Sequence, residues 1–188
     1  MSLATVWAQA VAYIESQDVE FVKTVFQYPE TQTPDTTFFP SDEPGITTGV
    51  VIWTWMSDGS EHRIATGPNG PPPQGQKWVP YLLHLNCVLR AAYQTDGSGD
   101  SVQLASADNT TFIDAMRTMI RYSRNAGGNP VGAGDAIFMW GEGETERMGG
   151  EDIKWHADTP VILQGAGVAG LVEIRTRFDI WVAEIINS

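Results

Sequence analysis

The run "VILQGAGVAGLVEIRTRF", residues 161–178, sets Gly165, Gly167 and Gly170 in the spacing G-x-G-x-x-G directly after a short apolar stretch. In a dinucleotide enzyme such a turn joins a strand to a helix whose N-terminus holds the pyrophosphate, and an acidic residue further along holds the ribose. Only 18 residues follow Gly170. They would have to supply a helix, a loop and a return strand, too little for a parallel crossover of about a dozen residues plus its strand. Glu184 stands at a suitable distance but has no sheet around it. The segment after the glycines also reads better as a strand. Val172, Ile174, Thr176, Phe178, Ile180 and Val182 share one face with period two, and Glu173, Arg175, Arg177 and Asp179 share the other. A helical stripe of Leu171, Ile174, Phe178, Trp181 and Ile185 leaves Val172 and Ile180 on the wrong side, and the density of β-branched residues favours a strand. The glycines then serve a hairpin corner between "PVILQ" and a final strand with a charged face, where they give the backbone freedom.

Other residue sets invite chemistry and mostly decline it. His84 and Cys87 suggest a nucleophilic pair, but three positions apart in a strand they point to opposite faces, Cys87 inward and His84 to the polar side. His62, His84 and His156 lie in separate elements with no short metal-ligand spacing. Asp96–Asp100, "DGSGD", alternates oxygen ligands like a calcium loop but lacks the later glycine and glutamate. Glu142, Glu144, Glu146, Glu151 and Asp152 form an acidic, Gly-rich stretch that reads as a hydrated loop. Arg117, Arg121 and Arg124 recur at helical spacing, complement a helix C-terminus, and form a solvated or subunit-facing surface. No nucleophile elbow, phosphate loop or His-Glu-x-x-His helix occurs. The sequence therefore offers no catalytic set, no metal site and no cofactor site.

The chain has 188 residues, 19 Gly, 11 Pro and only 18% charged residues, with a net charge of −12. That balance predicts one loop-rich domain over 1–188, and it gives a general nucleic-acid binder no electrostatic footprint. A lone cysteine, Cys87, excludes an internal disulfide. No apolar run approaches membrane-spanning length, and the first residues lack a signal-like pattern, so a soluble, unprocessed chain is expected.

The elements that must position these residues follow from their periodicity. Leu3, Val6, Trp7, Ala10, Val11 and Ile14 predict an amphipathic helix over 3–15. A strand is expected at 19–27, then a Pro- and Thr-rich excursion at 28–46. "GVVIWTWM", 49–56, reads as a strand that turns through "SDGSE" into "HRIAT", a hairpin. An exposed loop at 67–76 follows, then a strand at 81–93 with its odd positions apolar. Phe112, Ile113, Met116, Met119 and Ile120 predict a helix over 111–124. The remainder alternates short apolar pieces with turns. The sum is an α+β domain: a mostly antiparallel sheet flanked by two main helices, with long Pro/Gly-rich loops.

The opening helix "LATVWAQAVAYIES", the strand "YLLHLNCVLRAAY" with its loop and the helix "TTFIDAMRTMIRYSRN", and the closing "VEIRTRFDIWV" together resemble the tail-terminator proteins of long-tailed (siphovirus-type) double-stranded DNA bacteriophages. The resemblance spans most of the chain as a layout. It implies a structural virion protein rather than an enzyme: a ring, expected to be a hexamer, that caps the tail tube, stops tube polymerisation and presents a docking face to the head. Its implied partners are its own copies, the tail-tube protein and the head-completion or stopper protein, with DNA passing through without specific binding. Its place is the tail or neck of the virion, assembled in the host cytoplasm. Other neck rings and the tube subunit share the same general character. A ring needs subunit contacts, for which the candidates are Phe38, Phe39, His84, Arg90, Glu173, Arg175, Arg177 and Asp179. Acidic charge suits a channel wall that must not grip DNA.

Overall fold

Leu3–Ser16 forms helix α1, and its spacing explains why: Val6, Ala10, Val11, Tyr13 and Ile14 are buried on one side, although Leu3, expected in the same stripe, is exposed. The helix closes with the Ser16 hydroxyl donating to the Tyr13 carbonyl and the Gln17 amide to that of Ile14. The computed structural model describes residues 3–27, 47–59, 62–63, 76–92, 100–121, 136–137, 154–163 and 171–187.

A tight connection leads to strand β1, Val22–Phe26, somewhat shorter than the expected 19–27. Asp18 and Phe21 take positive φ there, 47° and 68°. For a residue as bulky as Phe this backbone is costly. It is held because the Phe21 carbonyl accepts the Val50 amide at 2.8 Å while its ring packs on the core. β1 runs parallel to β2, Thr48–Gly59, and every other pairing among the described strands is antiparallel.

The expected hairpin after residue 56 does not form. β2 continues through Ser57, Asp58 and Gly59, and β3, His62–Arg63, extends the same row by pairing with β4, Gln76–Ala92. A register shift between Ser57 and Gly59 absorbs the turn-like residues as an irregularity instead of a reversal. β4 also starts five residues earlier than the expected strand at 81–93.

Helix α2, Asp100–Arg121, starts eleven residues before the expected 111, and positions 122–124 lie outside the described residues. Its hidden first half faces inward through Ser101, Ala105 and Asn109, continuous with Phe112, Met116, Met119 and Ile120. Two of those inward residues are polar, so the apolar period vanishes from the sequence. Asn109 is accommodated because its side-chain oxygen accepts the Thr176 hydroxyl at 3.1 Å. Thr48 donates to Asp108 in the same way.

Three short strands, β5 (Ala136–Ile137), β6 (Lys154–Ala157) and β7 (Val161–Ile162), lie end to end along the outer edge of β8, Leu171–Asn187. The sheet order is β1-β2-β4-β8, with those pieces beyond. Both helices cover one face. One core cluster joins α1 and α2 to Val50 and Ile52, to Leu83, Leu85, Cys87 and Leu89, and to Val172, Ile174, Phe178, Ile180 and Val182. The period-two reading of the last strand holds at each of these positions. The described residues thus form two helices and a mixed, mostly antiparallel sheet, an α+β fold.

Candidate functional site

Period two sends the alternate residues of the long strands to the face away from the helices. Register then decides which of them meet. Trp55 of β2 lies opposite His84 of β4, and His84 opposite Asp179 of β8; Arg90 lies opposite Glu173. Two polar clusters result.

In the first, the Arg90 guanidinium binds Glu173 through Nε at 2.9 Å and through Nη2 at 2.8 Å, both to Oε2. Arg175 donates from Nε to the other carboxylate oxygen at 2.9 Å. Glu173 is buried, and two cations compensate its charge.

In the second, His84 Nδ1 is 2.6 Å from Asp179 Oδ1, and His84 Nε2 is 2.9 Å from Ser57 Oγ. Arg177 donates from Nε to the same Asp179 oxygen at 3.0 Å, and its Nη2 also lies 3.0 Å from His84 Nδ1. A carboxylate only accepts, so the shorter contact puts the imidazole hydrogen on Nδ1. Arg177 Nη2, itself a donor, then rests beside the ring without a hydrogen bond to it. With Nδ1 as the donor to Asp179, Nε2 is the ring atom that meets the Ser57 hydroxyl. The Trp55 ring stacks on the imidazole, 4.5 Å between centroids and 19° between planes, and the Arg177 guanidinium sits 5.5 Å from the Trp55 ring. His84 is only 7% exposed. The sequence placed it correctly on the polar side of the strand, but that side is no open surface at this point.

Beside these clusters is a cavity of about 240 Å³, lined by Asn86 and Val88 of β4, Arg175 and Arg177 of β8, and His156 and Asp158 at the sheet edge. Its two guanidiniums are each tied to a carboxylate, and Asp158 adds a third acid beside His156, so the lining carries no excess of positive charge. Such a pocket does not make a phosphate cradle of the kind a nucleotide needs.

No protein-family model matches this sequence, and no curated protein matches it.

Six of the expected contact residues, His84, Arg90, Glu173, Arg175, Arg177 and Asp179, therefore share one face. His84, Arg90 and Glu173 are engaged inside the chain, whereas the Arg175 and Arg177 side chains stay about half exposed, at 48% and 49%. Phe38 and Phe39 lie outside the described residues, as do the acidic stretch at 142–152, the glycines at 165–170 and Arg124. The flanks of the glycine run pair antiparallel, Ile162 with Val172, and the Leu163 amide donates to the Leu171 carbonyl. A strand, not a helix, follows Gly170, so the helix N-terminus that a pyrophosphate requires is missing there. Cys87 is buried in the core on the face opposite His84, and burial raises its thiol pKa far above the ordinary range, which makes it inert. Arg117 pairs with Asp114 at 3.0 Å and lies 4.7 Å from the Trp155 ring, bridging α2 to β6. Among the described residues no group of three or more His, Cys, Asp or Glu is placed to hold a metal ion, and no helix is long and apolar enough to cross a membrane.

Ser57 and Trp55 did not stand out in the sequence. Their partners are 27 or more residues away, and only the cross-strand register joins them. The alternation in "VIWTWMS" already put Trp53, Trp55 and Ser57 on one face, which was the available signal.

Proposed function

We propose that this chain is the structural subunit of a closed ring of the tail-terminator kind, which caps a tail tube, stops its growth and offers a docking face to the head. The observation that carries the reading is the outer rim of the sheet. Trp155, Val161 and Ile162 are large, apolar and exposed along β6 and β7; Val161, opposite Glu173, shares the face of the half-exposed Arg175 and Arg177, while Trp155 lies on the helix side against Arg117. Apolar anchors beside charges of fixed geometry are the composition of a protein-binding surface. The opposite edge of the sheet, β1, is a different surface; a neighbour that seats its β1 side on the rim makes a head-to-tail contact, and such contacts close into rings when the rotation allows. The −12 net charge and the balanced signs of the polar face support passage of DNA without binding. The layout of helix, strand and closing strand on which the resemblance rests supports the same role, with tube and head-completion proteins as partners.

Light scattering and electron microscopy of the purified chain, alone and with preformed tubes, test the proposal. Closed rings that bind tube ends are expected. Monomers under all conditions with no tube binding overturn it, and long tubes formed by the chain alone would mark a tube subunit instead.

A further inference from the structure

Ser57, His84 and Asp179 present a hydroxyl, an imidazole and a carboxylate in that order, from the neighbouring strands β2, β4 and β8. We propose that Ser57 is an activated nucleophile, with His84 as its general base and Asp179 as the group that orients the base, and that it takes reactive carboxylic esters bearing an aromatic or apolar group. The inference goes beyond the ring reading and does not rest on it.

The geometry meets the conditions that such chemistry sets. The nucleophile-to-base and base-to-carboxylate distances, 2.9 and 2.6 Å, fall within hydrogen-bond reach, and with Nδ1 as the donor to Asp179 it is Nε2 that meets the hydroxyl. The imidazole cannot turn away, since it is buried and stacked on Trp55. Ser57 keeps part of its surface exposed while the base stays shielded. Trp55 lies two residues before Ser57 on the same face of the strand and supplies an aromatic wall beside the hydroxyl. That wall is the reason for the choice of an aryl or apolar ester.

In the first step the Ser57 oxygen bonds to the ester carbonyl carbon while the hydroxyl proton passes to His84 Nε2. The carbon–oxygen bond to the leaving group then breaks, and that oxygen takes the proton from Nε2, which leaves an acyl ester on Ser57. Water, deprotonated by the same nitrogen, cleaves this ester and the proton returns to Ser57. One ester and one water give one acid and one alcohol, and no oxidant or cofactor is consumed. Arg177 restrains the reaction. It shares Asp179 with His84, so the carboxylate that orients the base is divided between two donors. Turnover is therefore slow, and the electrophile must be reactive.

The test treats the full chain with a fluorophosphonate probe and, separately, with 4-nitrophenyl acetate, reading adducts by peptide mass mapping and nitrophenolate by absorbance. The expected result is one phosphonyl adduct, on Ser57, and a nitrophenolate burst stoichiometric with protein. Ser57→Ala is expected to lose both, and His84→Gln to label at least about 100-fold more slowly, the lower end of what a positioned base contributes. A wild-type chain that takes no adduct overturns the proposal, as does an adduct that persists in Ser57→Ala. The wild-type result decides even if His84→Gln fails to fold.

Discussion

Trp7 and Thr54 tie the first helix to the middle of the sheet: the indole Nε1 donates to Thr54 Oγ1 at 2.7 Å, and that hydroxyl donates to the Phe26 carbonyl at 2.8 Å. One fully buried hydroxyl thus satisfies a donor on α1 and an acceptor at the end of β1. Thr54→Val keeps the shape and strands both partners, so it is expected to cost about 2 kcal/mol. A lower urea midpoint with an unchanged m-value would show it. No change in the midpoint would mean that the indole and the carbonyl find other partners.

Glu173 and Arg175 should differ sharply although they touch. Glu173 is buried between two guanidiniums, and Glu173→Ala removes the carboxylate that the shielded Arg90 guanidinium grips through two nitrogens, at an expected cost of about 3 kcal/mol or more. Arg175 is half exposed, and Arg175→Ala should cost less than about 1 kcal/mol. Denaturant titrations of the two variants at low and high salt check the contrast, which should survive salt for Glu173 and fade for Arg175.

Alkaline pH should weaken the fold through Cys87. The thiol pKa is raised in the folded chain, so the native state holds a proton that the unfolded state gives up above about pH 8.5. Stability is then fully present below that value and falls above it, by up to about 1.4 kcal/mol per pH unit. Tyr13, also raised by burial, adds to the loss above about pH 10. Unfolding free energies measured from pH 7 to 11 should show this slope, and Cys87→Ala should remove its first part.

The rim residues should matter to assembly and not to folding. Val161 and Ile162 are about half exposed, so the double change Val161→Ser, Ile162→Ser is expected to leave the melting temperature of the monomer nearly unchanged. Rings should dissociate to monomers at a higher protein concentration than in the wild type. Mass photometry across a dilution series measures this, and an unchanged ring-to-monomer profile would remove the rim from the interface.

Periodicity made the long elements legible. The alternation in residues 172–182 placed Ile174 and Phe178 inward and Arg175 and Arg177 outward, and the stripe from Val6 to Ile14 marked α1. Where function of position overrode pattern, the sequence misled. Ser101 and Asn109 face the core as polar residues, so half of α2 was hidden. Ser57, Asp58 and Gly59 have turn chemistry but are drawn into β2, because β4 pairs with the chain both before and after them. The Ser57–His84–Asp179 cluster needed something else again: the face of His84 was readable, but its partners depend on which strands become neighbours. Parallel pairing of β1 with β2 was invisible for the same reason.

That strand order also sets the tempo at which the molecule forms. β4 and β8 zip along all 17 residues of β4, yet partners such as His84 and Asp179 are 95 positions apart. Closing so long a loop comes before any rung is gained, and chains dominated by distant pairings fold in about milliseconds to seconds. Until residues 171–187 arrive, the row Leu83, Leu85 and Leu89 lies along an open strand edge. A nascent chain paused before that point is therefore the species most exposed to aggregation, and the one a chaperone would have to hold.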